Sequence, residues 1–195
     1  MVDRYVVGIS GASGAIYALR TIQWLVELGA EVHIASSSYG KRLFFDELDI
    51  KNFTSDNLVS SEFLDQVFVY SGNDKGASIA SGSFLTKGMV IVPTSGNTLG
   101  AIASGLTENL VQRAAAVTLK ERRKLVLAHR ESPLSPIDIV NMNRLSQAGV
   151  IIAPLSPGFY HKPKTLDEVV DFMAAKILDL LGVSHTKAQR WEKNN

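Results

Sequence analysis

The first 36 residues constrain the fold more than any other stretch. Residues 4–10 form a short β-branched run, Gly8-Ile9-Ser10-Gly11-Ala12-Ser13-Gly14-Ala15 breaks it, and residues 15–28 carry apolar side chains at helical spacing. Gly29-Ala30 stops that helix and EVHIAS (31–36) reads as a second strand. Strand, tight turn, helix and strand within so short a length make a βαβ unit, in which the crossover leaves the two strands parallel. Further strand candidates lie at 67–70, 89–93, 124–129 and 150–154, each nearly uniformly apolar. Such runs are expected where helices cover both faces of a sheet. Helical patterns at 98–119, 136–147 and 165–181 fall between and after them. The alternation predicts one three-layer α/β/α domain with a mainly parallel, Rossmann-like or flavodoxin-like sheet over residues 1–183.

Composition narrows the function classes. The 195 residues are 46% hydrophobic and 20% charged, a balance suited to a packed globule. Twenty Lys+Arg against nineteen Asp+Glu leave a formal charge of +1, so no global field favours nucleic acid or an anionic membrane. No apolar run reaches the roughly 20 residues of a membrane span, and MVDRYVVGIS lacks the features of a secretory signal. With no cysteine there is neither a disulfide framework nor a thiolate metal site, which suits a cytoplasmic location. His33, His129, His161 and His185 form no metal-spaced pair, so no metal is expected, and His33 is expected to pack within its strand. Residues 48–63 read as a surface excursion. The tail, 184–195, is polar except for Trp191, through which it is expected to dock.

In an open parallel sheet, ligands bind beyond the carboxyl ends of the strands. The small residues of the first turn let backbone amides approach an anion at a helix N terminus, with the Ser13 hydroxyl as a further donor. The same residues also suit a tight turn with no ligand. The turn has no Walker lysine, and Ser36-Ser37-Ser38 stand where dinucleotide sites carry an acidic residue, so a flavin mononucleotide fits better than ATP or NAD. The fourth strand ends in Pro93-Thr94-Ser95-Gly96-Asn97-Thr98, a hydroxyl-rich turn that reads either as a ligand loop or as helix caps. Arg113 and Lys120, seven apart, project from one helix face. Arg130-Glu131 follows the apolar strand KLVLAH, either as a phosphate and proton pair or as a surface ion pair. Tyr160 follows the last strand, and Lys176 lies one helix further on.

Taken together, GISGASGA, PTSGNTLGAIASGLTENLVQRAAAVTLKERRKLVLAHRESPLS and PLSPGFYHKPKTLDEVVDF resemble the UbiX/Pad family of flavin prenyltransferases, once described as aromatic-acid decarboxylases, over nearly the whole chain. The resemblance implies a metal-independent enzyme that binds reduced FMN and alkylates it at N5 and C6 with dimethylallyl phosphate. The product, prenylated FMN, would serve UbiD-type decarboxylases, for example in ubiquinone biosynthesis. By the same resemblance, Gly11, Ala12, Ser13, Ser37, Ser95, Gly96, Asn97, Thr98 and Arg130 bind the flavin, and Tyr160 and Lys176 bind dimethylallyl phosphate. Glu47, Arg113, Lys120 and Glu131 line the prenyl-phosphate site as catalytic residues. A site shared between subunits of a large homo-oligomer, a dodecamer, is also implied. Two departures from the family pattern are Asn73-Asp74-Lys75-Gly76, where an aromatic or large apolar residue often precedes ASGS, and Ala116 where Asp often follows RAA.

Three other classes compete, one of them the direct decarboxylation of aromatic acids, for which no residue in the sequence gives a mechanism. A peptidyl-cysteine or phosphopantothenoylcysteine decarboxylase would share PTSGNT, with Asn97 on its functional asparagine. Its P-A-M-N-x-x-M motif is replaced here by His129-Arg130-Glu131-Ser132-Pro133. A non-catalytic FMN carrier would bind flavin without consuming dimethylallyl phosphate.

Overall fold

The computed structural model describes residues 2–187; Trp191 and the docking expected of it lie outside them. Six strands, β1 (Arg4–Ile9), β2 (Glu31–Ser36), β3 (Val67–Tyr70), β4 (Gly88–Thr94), β5 (Lys124–His129) and β6 (Ile151–Ile152), form one parallel sheet in the order β3-β2-β1-β4-β5-β6. This is the doubly wound order of Rossmann-type sheets, and the winding reverses between β1 and β4. The central strands are buried along nearly their whole length, β4 at all seven positions, because helices cover both faces.

On one face, α1 (Ala15–Glu27) packs against α7 (Leu166–Leu181). Ala15, Ala18, Ile22 and Leu25 on α1, with Ala174, Ile177 and Leu178 on α7, repeat every three or four residues and form the stripe that meets the sheet. A leucine as buried as Leu25 contributes about 2–5 kcal/mol relative to alanine. On the other face, α4 (Gly96–Ala103), α5 (Leu110–Lys120) and α6 (Pro136–Gln147) cover Val6, Met89, Ile91, Leu125 and Leu127. α2 (Ser38–Leu48) and the short α3 (Ser55–Leu58) complete the chain's helices before β3.

Three sequence expectations change. The single helix read over 98–119 is two, because Gly105 takes the left-handed region at φ 73° and Asn109 begins α5, its side chain accepting from the Gln112 N–H at 3.0 Å. The segment after Ser37 is helical, a pattern hidden by α2's weak apolar stripe, of which only Gly40 and Phe44 are buried. The last strand is shorter than 150–154, although bonds from Ala153 N to Leu127 O and from Leu155 N to His129 O carry the chain on beside β5. The start of the tail is held by His185, which meets Asp179 at 3.2 Å, and by Lys187, which pairs with Glu27 and lies 5.5 Å from the Trp24 ring.

Candidate functional site

The reversal between β1 and β4 opens a crevice at the carboxyl ends of the strands, and hydrogen bonds among its own residues shape it. The Ser95 N–H donates to the Ser10 Oγ at 2.8 Å, tying the end of β1 to the start of α4. Ser95 caps α4 by accepting from the Thr98 N–H at 3.3 Å, and Ser37 caps α2 by accepting from the Gly40 N–H at 3.0 Å. The cap reading of these serines therefore holds locally. It does not remove them from the crevice: Gly11, Ser37, residues 95–98 and Glu131 line one cavity of about 490 Å³. That volume lies within the range of small-ligand sites, roughly 300–1,000 Å³.

A second cavity of about 390 Å³ shares Ser37, Ser38 and Asn109 with the first and continues past Lys41, Gly72 and Asn73. Its lining is polar, so the Asn73-Asp74-Lys75-Gly76 departure makes a hydrophilic turn here, closed by the Gly76 N–H on Asp74 Oδ1 at 3.0 Å. Tyr39, Asn109 and Gln112 line the first cavity and were missed from sequence. Asn109 had a readable signal, since it follows Gly105 and precedes an apolar run, as an N-cap does. Tyr39 had none.

The first turn behaves differently from its sequence reading. Gly14, at φ 121°, adopts a backbone conformation that favours glycine, and the Gly14 and Ala15 N–H groups donate to Glu47 Oε2 at 3.0 and 2.8 Å. α1 has neither a side-chain cap of its own nor an acid in its first turn, so the Glu47 carboxylate supplies both from α2. The anion at this helix terminus is thus the chain's own. Arg130 braces the same turn, its Nε–H donating to the Ser13 carbonyl at 3.2 Å. Ala12 is buried beneath the turn, whereas Gly11 and Ser13 face outward. Arg130 and Glu131 form no ion pair: Glu131 accepts from the Ser132 N–H at 3.0 Å and turns toward the crevice.

Below the crevice, His129 closes β5. Its Nδ1 lies 2.8 Å from the Thr94 carbonyl, which can only accept, so Nδ1 carries the proton. Nε2 is buried with no hydrogen-bond partner among the described residues. The crevice thus presents helix N termini, hydroxyls and amides, a set that fits the ribityl and phosphate parts of FMN. No group of three or more His, Cys, Asp or Glu residues among the described residues is arranged to hold a metal ion.

The cationic residues lie elsewhere. Arg113 and Lys120 are exposed on α5. Arg113 follows the crevice residue Gln112, its Nε–H donating to the Ala80 carbonyl at 3.2 Å, whereas Lys120 sits about 10 Å further along the helix axis. Lys120 pairs with Glu121 and holds that carboxyl below its ordinary range. Tyr160 and Lys176 come together in a separate cavity of about 550 Å³ between β6 and α7, where Phe172 meets the Tyr160 ring edge-on at 5.8 Å. None of its lining residues is shared with the crevice. A single chain therefore brings Gly11, Ser37 and residues 95–98 together around one cavity, leaves Ala12, Ser13 and Arg130 at the first turn outside its lining, and does not bring together the four residues expected to hold the phosphate.

Comparison with known proteins bears on this division. The family described as Flavoprotein matches residues 2–178. The flavin prenyltransferase UbiX of Thermoplasma acidophilum is 46% identical over 193 residues, covering 96% of this chain and 99% of that protein. A crystal structure of AnUbiX (PadA1) in complex with FMN and dimethylallyl pyrophosphate superposes with a TM-score of 0.87 at 34% identity, over 100% of both chains. A dodecameric FMN-dependent UbiX-like decarboxylase from Escherichia coli O157:H7 also gives 0.87, at 39% identity over 97% of this chain and 99% of that one.

Proposed function

This chain belongs to the UbiX flavin prenyltransferase family, within the wider flavoprotein family, and on that premise we propose that it transfers the dimethylallyl group of dimethylallyl phosphate to reduced FMN. The observation that carries the reading is the crevice at the sheet reversal, lined by Gly11, Ser37, residues 95–98 and Glu131, in a fold matched over its full length to a protein that holds both FMN and a dimethylallyl ester.

In this reaction the allylic C–O bond breaks and inorganic phosphate leaves as N5 bonds to that carbon and loses its proton; the prenyl double bond then takes up a proton, and C6 bonds to its far carbon and gives up its own proton. FMN, when bound, supplies the nucleophilic ring. Gly11, Ala12, Ser13, Ser37, Ser95, Gly96, Asn97, Thr98 and Arg130 hold it at the carboxyl ends of β1, β2, β4 and β5. Arg130 also fixes the first turn, and Glu47 keeps that turn in register by occupying the α1 amides. The protein's main electrostatic task is the charge that grows on the departing phosphate. Arg113, Lys120, Tyr160 and Lys176 take that task, binding the monophosphate and stabilising it as it leaves. Glu131, exposed at the crevice, holds or moves a proton as the new ring closes.

Because the phosphate residues lie apart in one chain, the proposal includes assembly: neighbouring copies bring the Tyr160–Lys176 groove of one to the crevice of another in a closed homo-oligomer, a dodecamer. The prenylated flavin then passes to a UbiD-type decarboxylase. The peptidyl-cysteine decarboxylase alternative leaves His129-Arg130-Glu131 at the crevice edge without a use, and the carrier alternative leaves the cationic residues without one.

The test is an anaerobic incubation of the protein with FMN, a reductant and dimethylallyl phosphate, followed by mass analysis of the flavin. A five-carbon adduct with stoichiometric release of phosphate is the expected result. An unmodified flavin under fully reduced conditions would sink the reading.

A further inference from the structure

The second strand carries a polar chain, buried at His33 and half-buried elsewhere, that the proposed reaction has not used. His33 lies on the α5 side of β2, its side chain 4% exposed, and both ring nitrogens are engaged. Nε2 is 2.8 Å from Glu31 Oε1, and Nδ1 is 2.8 Å from the Tyr70 hydroxyl on β3, which in turn is 2.8 Å from the Ser78 hydroxyl. Arg4 closes the other end, its Nε–H donating to Glu31 at 2.7 Å. Around this chain the His33 ring stacks on Phe68 at 4.9 Å and meets Phe84 edge-on at 4.8 Å.

The chain has a direction. The Glu31 carboxylate only accepts, so Nε2 of neutral His33 carries its proton and Nδ1 accepts from the Tyr70 O–H. Tyr70 then accepts from the Ser78 O–H. Each N–H and O–H of the chain finds an acceptor, and the last member is the first residue of the one-turn 3-10 helix Ser78–Ala80. The final carbonyl of that turn, Ala80 O, accepts from the Arg113 Nε–H at 3.2 Å. No other hydrogen bond or ion pair engages the Arg113 side chain among the described residues, so its remaining N–H groups stay available to a ligand. The same segment passes through Gly82 and Phe84, whose carbonyls accept from Arg123 at 2.6 and 2.8 Å.

We infer that His33, Tyr70 and Ser78 are positioning residues for Arg113: their hydrogen-bond chain fixes the Ser78–Ala80 turn that seats the guanidinium, and a proton added to His33 reverses the chain and takes the Ser78 hydroxyl proton off Tyr70. A second proton on the ring makes Nδ1 a donor. Tyr70 must then turn its O–H to Ser78, and Ser78 must turn its own away, so the change travels the whole chain. The charged groups facing His33 are Glu31 on its own strand and Arg4 on β1, with Tyr70 on β3 as the neutral partner. Burial pushes the His33 ring below its ordinary range, outweighing the pull of the Glu31 hydrogen bond, so the neutral arrangement is the one held near neutral pH. Protonation thus belongs to acid conditions below about pH 6.5.

The inference rests on Arg113 serving dimethylallyl phosphate, so the experiment separates the two claims. Wild type, Arg113→Ala, Tyr70→Phe and Ser78→Ala are assayed for kcat/KM toward dimethylallyl phosphate across pH 5 to 8, and FMN affinity is measured by fluorescence titration. Tyr70→Phe keeps the ring and cuts the chain; Ser78→Ala cuts it at the far end and carries the test if the first variant does not fold. The expected result is a loss of about five-fold in kcat/KM at pH 7.5, the effect of about one hydrogen bond, with FMN affinity unchanged. The acid limb of the profile should also shrink to the part set by ionisation of the substrate phosphate, which is common to every variant. Wild-type kcat/KM and a wild-type acid limb in Tyr70→Phe or Ser78→Ala would overturn the positioning role, as would a loss confined to thermal stability. An inactive wild type, or a fully active Arg113→Ala, would instead overturn the reading of Arg113 on which it stands.

Discussion

The crevice and the cationic surface are built in opposite ways. At the crevice nearly every named residue is tied into the fold: Ser95 to Ser10 and Thr98, Ser37 to Gly40, Glu47 to Gly14 and Ala15, Arg130 to Ser13. Its shape exists before any ligand arrives, which lowers the ordering cost of binding a large, flat molecule. On the cationic surface Arg113, Lys120, Tyr160 and Lys176 are exposed and belong to two separate places on the chain. The charges of Arg113, Lys120 and Lys176 gain strength only when water is excluded from around them, and assembly is what the proposal calls on to do that. The difference teaches that one chain preforms the crevice but does not bring Arg113 and Lys120 to Tyr160 and Lys176, which is why the proposal assigns the flavin to the monomer and the leaving group to the assembly.

That contrast can be broken most decisively at Lys120. Lys120→Ala should lower prenyl transfer by about 100-fold or more, the effect of removing one preorganised charge, while FMN affinity stays at the wild-type level. Unchanged prenylation by the variant would falsify the role given to this lysine. The shared-site claim is sharpened by mixing: Arg113→Ala and Lys176→Ala, each impaired alone, should regain activity when dissociated together and reassembled. Mixed oligomers no better than either parent would confine each site to one chain.

Changes within the crevice should be smaller and should fall on stability and flavin affinity together. Ser95→Ala removes the α4 cap and the hydroxyl that accepts from Ser10 Oγ at 3.3 Å, while the backbone bond to Ser10 stays, and about 1 kcal/mol of stability should go with it in a denaturant titration. A smaller effect lies at the start of α6, where Ser135 and Asp138 form a reciprocal cap. Bonds from the Ser135 side chain and backbone hold the Asp138 carboxyl below its ordinary range of about 3.8. A depressed folded value means that the stabilisation is present above the unfolded value and is lost as pH falls through the folded one. Melting temperature should therefore drop on acidification below about pH 4, by no more than a degree or two because the group is exposed, and Asp138→Asn should remove that part of the dependence.

Much of the fold was readable because its signal is local. Apolar runs such as MVIVP and VIIAP announce doubly covered strands, and the Gly-rich break after β1 announces a tight turn. The 98–119 helix was misjudged for a local reason too: the apolar spacing continues across 104–109, and only the left-handed Gly105 interrupts it. Helix α2 was hidden because its apolar stripe is thin and its cap, Ser37, was read for its ligand role alone. The division of labour at the site was less legible. Nothing in the spacing of Glu47 indicates that it closes the amides of a helix more than thirty residues earlier in the chain. Nor does sequence place Tyr39 on the crevice wall.

By itself, the sequence determined the α/β class, the parallel arrangement, the ends of the strands at which the crevice opens, and, through its motifs, the family. These follow from periodicity and from residue order, which survive without any knowledge of contacts. Only the tertiary structure decided which residues meet. It joined Ser10 to Ser95 across the sheet reversal, gave the α1 terminus to Glu47, separated the Tyr160–Lys176 groove from the crevice, and linked His33 through Tyr70 and Ser78 to the turn that seats Arg113. Hydrogen bonds act over about 3 Å, and residues brought that close from 30 to 120 positions apart leave no trace in local spacing.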